Sequence, residues 1–154
     1  MRNELILWAD DEIDLLKPHI LFLKQKGYEV ITVSNGRDAL EMSEKEHFDL
    51  IILDENMPGL SGLETLSRIK ETNPDVPVVM ITKNEEENIM TQAIGNKIAD
   101  YLIKPVNPNQ ILLSIKKNLY QKEIISEKAT SGYQQEFNKI SSQINDSFSW
   151  EDWY

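Results

Sequence analysis

What most limits the fold of this chain is a set of short apolar runs, rich in β-branched residues, separated by stretches whose apolar residues recur at helical spacing. The runs lie at residues 4–8 (ELILW), 28–33 (YEVITV), 49–53 (DLIIL), 76–81 (VPVVMI) and 101–103 (YLI). Helical periodicity follows each of them. It is carried by Ile13, Leu16, Ile20 and Leu23; by Ala39, Leu40 and Met42; by Leu63, Leu66 and Ile69; by Ile89, Ala93 and Ile94; and by Ile111, Leu112, Ile115 and Leu119. Runs such as DLIIL and VPVVMI do not alternate polar with apolar residues. Both their faces must therefore be covered, as they are in a parallel sheet whose connecting helices pass over each side. The pattern predicts a doubly wound α/β domain with a five-stranded parallel sheet. Turn-forming pairs such as Lys26-Gly27, Asn35-Gly36, Pro58-Gly59 and Asn107-Pro108 fall between the periodic segments, and Pro18 lies early in the first helix, where a missing N–H is tolerated.

Residues 122–154 differ in kind. They contain no strand run, are rich in Ser, Gln and Asn, and carry Tyr133, Phe137, Ile140, Ile144 and Phe148 as one apolar stripe at helical spacing. The chain thus divides into a domain over 1–121 and a C-terminal helical extension over 122–154. The aromatic end, Trp150-Glu151-Asp152-Trp153-Tyr154, is one that a natural terminus rarely leaves bare, so the chain reads as cut from a longer protein.

Composition excludes several classes. There is no cysteine, so disulfides and thiolate-ligated metals are out. With 26 acidic against 16 basic residues the net charge is −10, which disfavours direct binding of nucleic acid. The N-terminal apolar segment is too short for a signal-peptide core or a membrane span, so the chain reads as cytoplasmic, with no membrane insertion. Asn145-Asp146-Ser147 then matches the glycosylation pattern by spelling only.

In doubly wound sheets ligands sit beyond the carboxyl ends of the strands. Those ends are polar here: Asp10-Asp11 after the first run, Asp54 after the third, Thr82 after the fourth and Lys104-Pro105 after the fifth. Convergent carboxylates repel and raise one another's pKa unless a cation neutralises them, and hard oxygen ligands in this number suit Mg²⁺. An ammonium and a hydroxyl beside them suit a dianionic group undergoing phosphoryl transfer. Singly, each residue is an ordinary turn or capping residue; their joint placement at successive strand ends is what points to a site.

These residues resemble the receiver domain of two-component response regulators, over residues 4–121. The resemblance implies a flavodoxin-like (CheY-like) fold with strand order 2-1-3-4-5 and a cis peptide before Pro105. It also implies roles. Asp54, within LDENMPGLSG, is the phosphoacceptor; Thr82 and Tyr101 are the switch residues; Lys104 balances the phosphoryl charge. Mg²⁺ is held by Asp11, Asp54 and the Asn56 backbone carbonyl, with Asp10 acting through water. The implied partners are a sensor histidine kinase and, on phosphorylation, a second copy docked through the fourth helix, fifth strand and fifth helix. Asn56 and Asn84 flank the path of a hydrolytic water.

Within that family the chain is most similar to PorX-type regulators of type IX secretion, through WADDEIDLLKPHILFLKQKGYEV, EEENIMTQAIGNKIADYLIKPVNPNQ and the tail SWEDWY. The similarity implies that residues 122–154 are the truncated start of a linker bundle leading to a missing output domain, a C-terminal PglZ-type domain in place of a DNA-binding one. Two positions depart from the common receiver pattern. Lys83 stands where a small residue is usual, and Ile98 replaces a glycine that often precedes Ala99-Asp100. Lys83 has two readings, one leaning over the phosphoryl site and altering access, the other reaching into solvent as an exposed lysine, and it is left outside the site. Two rivals remain. A haloacid-dehalogenase-type phosphatase uses similar residues, but there the nucleophile precedes the acidic pair and a second acid follows it by two, where this chain has Asn56. A degenerate receiver that only binds partners would not need all five site residues. His19 and His47 lie on separate helices as surface or half-buried residues, and Glu85, Glu86 and Glu87 suit the positive end of the fourth helix.

Overall fold

The computed structural model describes residues 3–83 and 87–126. By their contacts the residues divide into two units, Met1–Pro108 and Asn109–Tyr154. The first contains β1 (Leu5–Ala9), α1 (Lys17–Gln25), β2 (Glu29–Val33), α2 (Gly36–Lys45), β3 (Leu50–Asp54), α3 (Gly62–Thr72), β4 (Val78–Thr82), α4 (Glu87–Gly95) and β5 (Asp100–Ile103). The long helix α5 (Pro108–Ser126) begins at the boundary and makes up the described part of the second unit, where Ile111, Leu112 and Ile115 are buried. The apolar stripe from Tyr133 to Phe148, the aromatic end, Asn84, Glu85 and Glu86 lie outside the described residues.

All strand pairs are parallel, in the order β2-β1-β3-β4-β5. This is the flavodoxin-like arrangement expected from the alternation of strand and helix. Every residue of β1, β3 and β4 is buried, which is why their sequences do not alternate. Leu7, Ala9, Ile51, Leu53, Val78 and Met80 form one core cluster with Ala39 of α2, Leu66 and Ile69 of α3 and Ala93 of α4. Side chains of opposite parity, Ile6, Trp8, Ile52, Val79 and Ile81, are equally buried.

Local signals set the helix boundaries. Asn35 accepts a hydrogen bond from the Asp38 N–H at 2.8 Å and caps α2, while Ser61 and Glu64 form a reciprocal capping box on α3. The first helix departs from the periodicity. Ile13–Leu16 form a 3₁₀ turn, and α1 begins only at Lys17, with Pro18 in its first turn. Proline lacks the N–H that a helix interior would use, so the regular helix starts where that donor has no intrahelical partner anyway. No helix among the described residues is long and apolar enough to cross a membrane.

Candidate functional site

Register alone brings the key carboxylates together. Ala9 of β1 pairs with Leu53 of β3, so the next residues along, Asp10 and Asp54, emerge side by side at the carboxyl edge. On the other flank Asp54 pairs with Ile81 and Thr82 pairs with Ile103, so the hydroxyl and the lysine reach the same edge one step later. The backbone ladder continues past the strands to fasten them. Asp10 N–H donates to the Val33 carbonyl at 3.1 Å, Glu55 N–H to Ile81 at 3.2 Å and Lys104 N–H to Thr82 at 2.7 Å. The Lys104–Pro105 peptide is cis, as the resemblance implies.

Asp10 and Asp54 are almost wholly buried and Asp11 is exposed; one carboxylate oxygen from each lies within 4.8 Å of the others. Lys104 is the counter-charge. Its Nζ donates to Asp10 Oδ2 at 2.9 Å and stands 3.4 Å from Asp54 Oδ1, close enough for attraction but outside hydrogen-bond geometry. Asp54 Oδ1 is therefore a buried oxygen with no hydrogen-bond partner among the described residues. Burial, then repulsion from Asp10, pushes the Asp54 carboxyl up to about 6, against the opposing pull of Lys104 and the Asn56 main chain. Burial alone would lower the Lys104 pKa, but its bond to Asp10 and the two carboxylates outweigh it, and the ammonium is held above its ordinary value.

One ammonium among three carboxylates leaves the cluster short of positive charge, and the donor set is all oxygen. The residues fit a hard divalent cation such as Mg²⁺. Asn56 is exposed directly beyond Asp54, Thr82 is fully buried as the last residue of β4, and Tyr101 is half-buried against the core cluster. The structure thus brings together Asp10, Asp11, Asp54 and Lys104, and sets Thr82 on the strand end beside them.

Other features are not visible in the sequence motif. Glu55 reads as an ordinary loop residue, yet it is buried, and its Oε2 accepts from the Leu63 N–H at 2.9 Å while its main-chain carbonyl accepts from Gly62 at 3.0 Å. It caps α3 from the loop that follows Asp54. Burial raises its pKa, partly offset by that Leu63 bond. A Cβ on Gly62 would lie 2.5 Å from the Asp54 carbonyl oxygen, so only glycine lets α3 approach this closely. Lys83 does not simply trail into solvent; it pairs with Glu12 at 3.0 Å. His19 is half-buried and bonds through Nε2 to the Val106 carbonyl at 2.8 Å, while His47 is exposed. The substitution at Ile98 also resolves differently. The residue with positive φ is Lys97, at 62°, and Ile98 turns inward onto the core cluster.

Residues 6–116 match the family model described as response regulator receiver domain, and residues 123–154 match the one described as PorX response regulator linker domain. The chain is 34% identical over 122 residues to the alkaline phosphatase synthesis transcriptional regulatory protein PhoP of Bacillus subtilis, covering 79% of this chain and 51% of that one. It is 34% identical over 114 residues to the transcriptional regulatory protein ZraR of Klebsiella oxytoca, covering 74% and 26% respectively. The chain spans about half the length of the first of these relatives and less of the second. Among solved structures it is similar to the chemotaxis protein CheY4 of Vibrio cholerae, with TM-score 0.71 and 29% identity over 75% of this chain and 98% of that one. It is also similar to a CheY-like receiver domain protein from Methanospirillum hungatei, with TM-score 0.76 and 28% identity over 79% and 98%.

Proposed function

The chain belongs to the response regulator receiver domain family, and from that premise we propose that it takes a phosphoryl group from a sensor histidine kinase onto Asp54 and passes the signal on as a change of surface. The observation that carries this reading is the Asp54 carboxylate itself: buried, short of hydrogen bonds at Oδ1, and set between a second buried aspartate and the Lys104 ammonium. An Asp54 oxygen forms a bond to phosphorus while the bond from phosphorus to the phosphohistidine nitrogen breaks, the imidazole leaving with the electron pair. Asp11, Asp54 and the Asn56 main-chain carbonyl, with Asp10 through water, would hold Mg²⁺, which when bound supplies positive charge against the phosphoryl oxygens. Lys104, already lying between Asp10 and Asp54, balances the charge that arrives on the acceptor. Thr82 and Tyr101 then shift their equilibrium positions, since the phosphoryl oxygens are strong acceptors that draw the Thr82 hydroxyl towards them.

The output is dimerisation through the fourth helix, fifth strand and fifth helix, and control of a further domain beyond residue 154. The match of residues 123–154 to the PorX linker family supports a boundary near residue 122; the resemblance to PorX-type regulators extends the proposal to a PglZ-type output domain, with regulation of type IX secretion as its setting. The acidic balance of the chain supports a receiver that does not itself contact nucleic acid. The test is intact mass after incubation with Mg²⁺ and acetyl phosphate, beside Asp54→Ala. One phosphoryl group gained only when both Mg²⁺ and Asp54 are present is the expected result. A folded protein that gains none is an interaction module, and the mechanism above falls.

A further inference from the structure

The site has an ion pair across its mouth that the phosphoacceptor chemistry does not use. Glu12 directly follows Asp10-Asp11 beyond β1, and Lys83 directly follows Thr82 beyond β4. β1 and β4 flank β3, so a bond between these residues spans the strand end that carries Asp54. Lys83 Nζ donates to Glu12 Oε1 at 3.0 Å, and Glu12 is itself steadied by its N–H, which donates to Asp10 Oδ1 at 2.9 Å. The Lys83 and Glu12 side chains are nevertheless 60% and 42% exposed. Lys83 holds the Glu12 carboxyl below the usual carboxylate range. Lys83, Glu12 and Lys104 line one cavity of about 400 Å³, whose other walls are His19 and apolar side chains including Trp8, Ile81 and Pro105.

Charge makes the pair informative. Lys104 is engaged by Asp10 and stands beside Asp54, so among the described residues that line this cavity Lys83 is the other lysine. An anionic phosphoryl donor must approach an acidic cluster on a chain of net charge −10. An exposed pair is weak, so Lys83 exchanges Glu12 for another anion readily. Resting on the phosphoacceptor reading, we propose that Lys83 receives the phosphoryl oxygens of the incoming donor at the mouth of the site, and that Glu12 competes with the donor for it. For a small acyl phosphate, an Asp54 oxygen bonds to phosphorus as the bond from phosphorus to the carboxylate oxygen of acetate breaks, and acetate leaves with the electron pair. Lys83 transfers no proton. It raises the local concentration of the dianion and thereby determines which donors load fastest.

The two ends of the pair then act with opposite sign. In the full chain with Mg²⁺ and sub-saturating acetyl phosphate, Lys83→Gln slows loading of Asp54 by about two- to fivefold, and Glu12→Gln speeds it by a similar factor. Lys83→Arg keeps the wild-type rate, the gain from Glu12→Gln shrinks in the Lys83→Gln background, and added KCl flattens all the differences. The saturated rate changes little, which separates a receiving role from one in the chemical step. A labelled wild type with both glutamine variants slower would make the pair merely structural, and both faster would make it a cover over the site; either result, or no difference at all, overturns the role of Lys83 and leaves Asp54 as phosphoacceptor. A wild type that takes no label sinks both readings together.

Discussion

Helices α3 and α4 follow the two strands that end in Asp54 and Thr82, yet they are fastened differently. α3 is held at every point. Its start carries a capping box, the Glu55 carboxylate bonds Leu63, and Gly62 lies against the Asp54 carbonyl. Leu66 and Ile69 fill the core, and Lys70 reaches past its last turns to the carbonyls of Pro74 and Val76. Among the described residues of α4 only Ala93 is buried, and Ile94 faces solvent. The helix ends on Lys97 in a left-handed conformation, with Ile98 N–H bonded back to Ala93 and Lys97 N–H to Ile94. Asp54, the proposed phosphoacceptor, is thus set on the anchored side, and the hydroxyl proposed to switch precedes a helix with fewer buried side chains among its described residues. A receiver needs that asymmetry, because the acceptor must be pre-positioned while the reporting surface must have a second arrangement within reach.

Glycine substitutions test the contrast most strongly. Gly62→Ala forces a methyl against the backbone of Asp54 and Glu55 and is expected to cost about 3 kcal/mol in urea unfolding, whereas Gly95→Ala in α4 meets nothing within 4 Å and is expected to stabilise by a few tenths of a kcal/mol. Equal effects would erase the distinction between the helices. The anchored side also contains its own destabilising charge. The Asp54 carboxyl is raised from 3.8 to about 6, so the native state binds more protons than the unfolded chain across that window. Stability therefore falls as pH rises through it and stays lower above it. Without divalent cation, Asp54→Asn is expected to be more stable than wild type by about 2 kcal/mol at pH 7, with the advantage fading towards pH 4, as denaturation at several pH values would show. Ser61→Ala removes the capping box and is expected to lose about 1 kcal/mol, read from the shift in urea midpoint. Lys97→Gly relieves the left-handed residue and is expected to gain about 0.5 kcal/mol of thermal stability, net of the extra freedom glycine has when unfolded.

The sheet was readable because its signals are local and repeated: buried strands must be apolar throughout, and the turn residues between them are distinctive. Asp10, Asp11, Asp54, Thr82 and Lys104 could be picked out for the same reason, since parallel strands deliver their last residues to one edge. What escaped the sequence depends on contacts between distant segments. Nothing in LDENMPGLSG separates Glu55 from its neighbours until α3 is placed over it. The bond between Lys83 and Glu12 joins residues that only the strand order brings together. Pro18 was noticed, but whether it begins a helix or sits one turn inside it depends on Ile13–Leu16 winding as a 3₁₀ turn. At the end of α4, the missing glycine drew attention to Ile98, while the backbone places the strained residue one position earlier.

The ladder bonds that outrun the strands also make this site legible by amide hydrogen exchange. The N–H groups of Asp10, Glu55 and Lys104 are donated to neighbouring backbone carbonyls, so their exchange follows opening of the sheet. Those of Glu12 and Leu63 are donated instead to the carboxylates of Asp10 and Glu55. Protonating Glu55, whose pKa burial raises, weakens the Leu63 bond while the ladder is left in place. Two sets of amides a few residues apart thus keep separate clocks, one for the scaffold and one for the charge it holds.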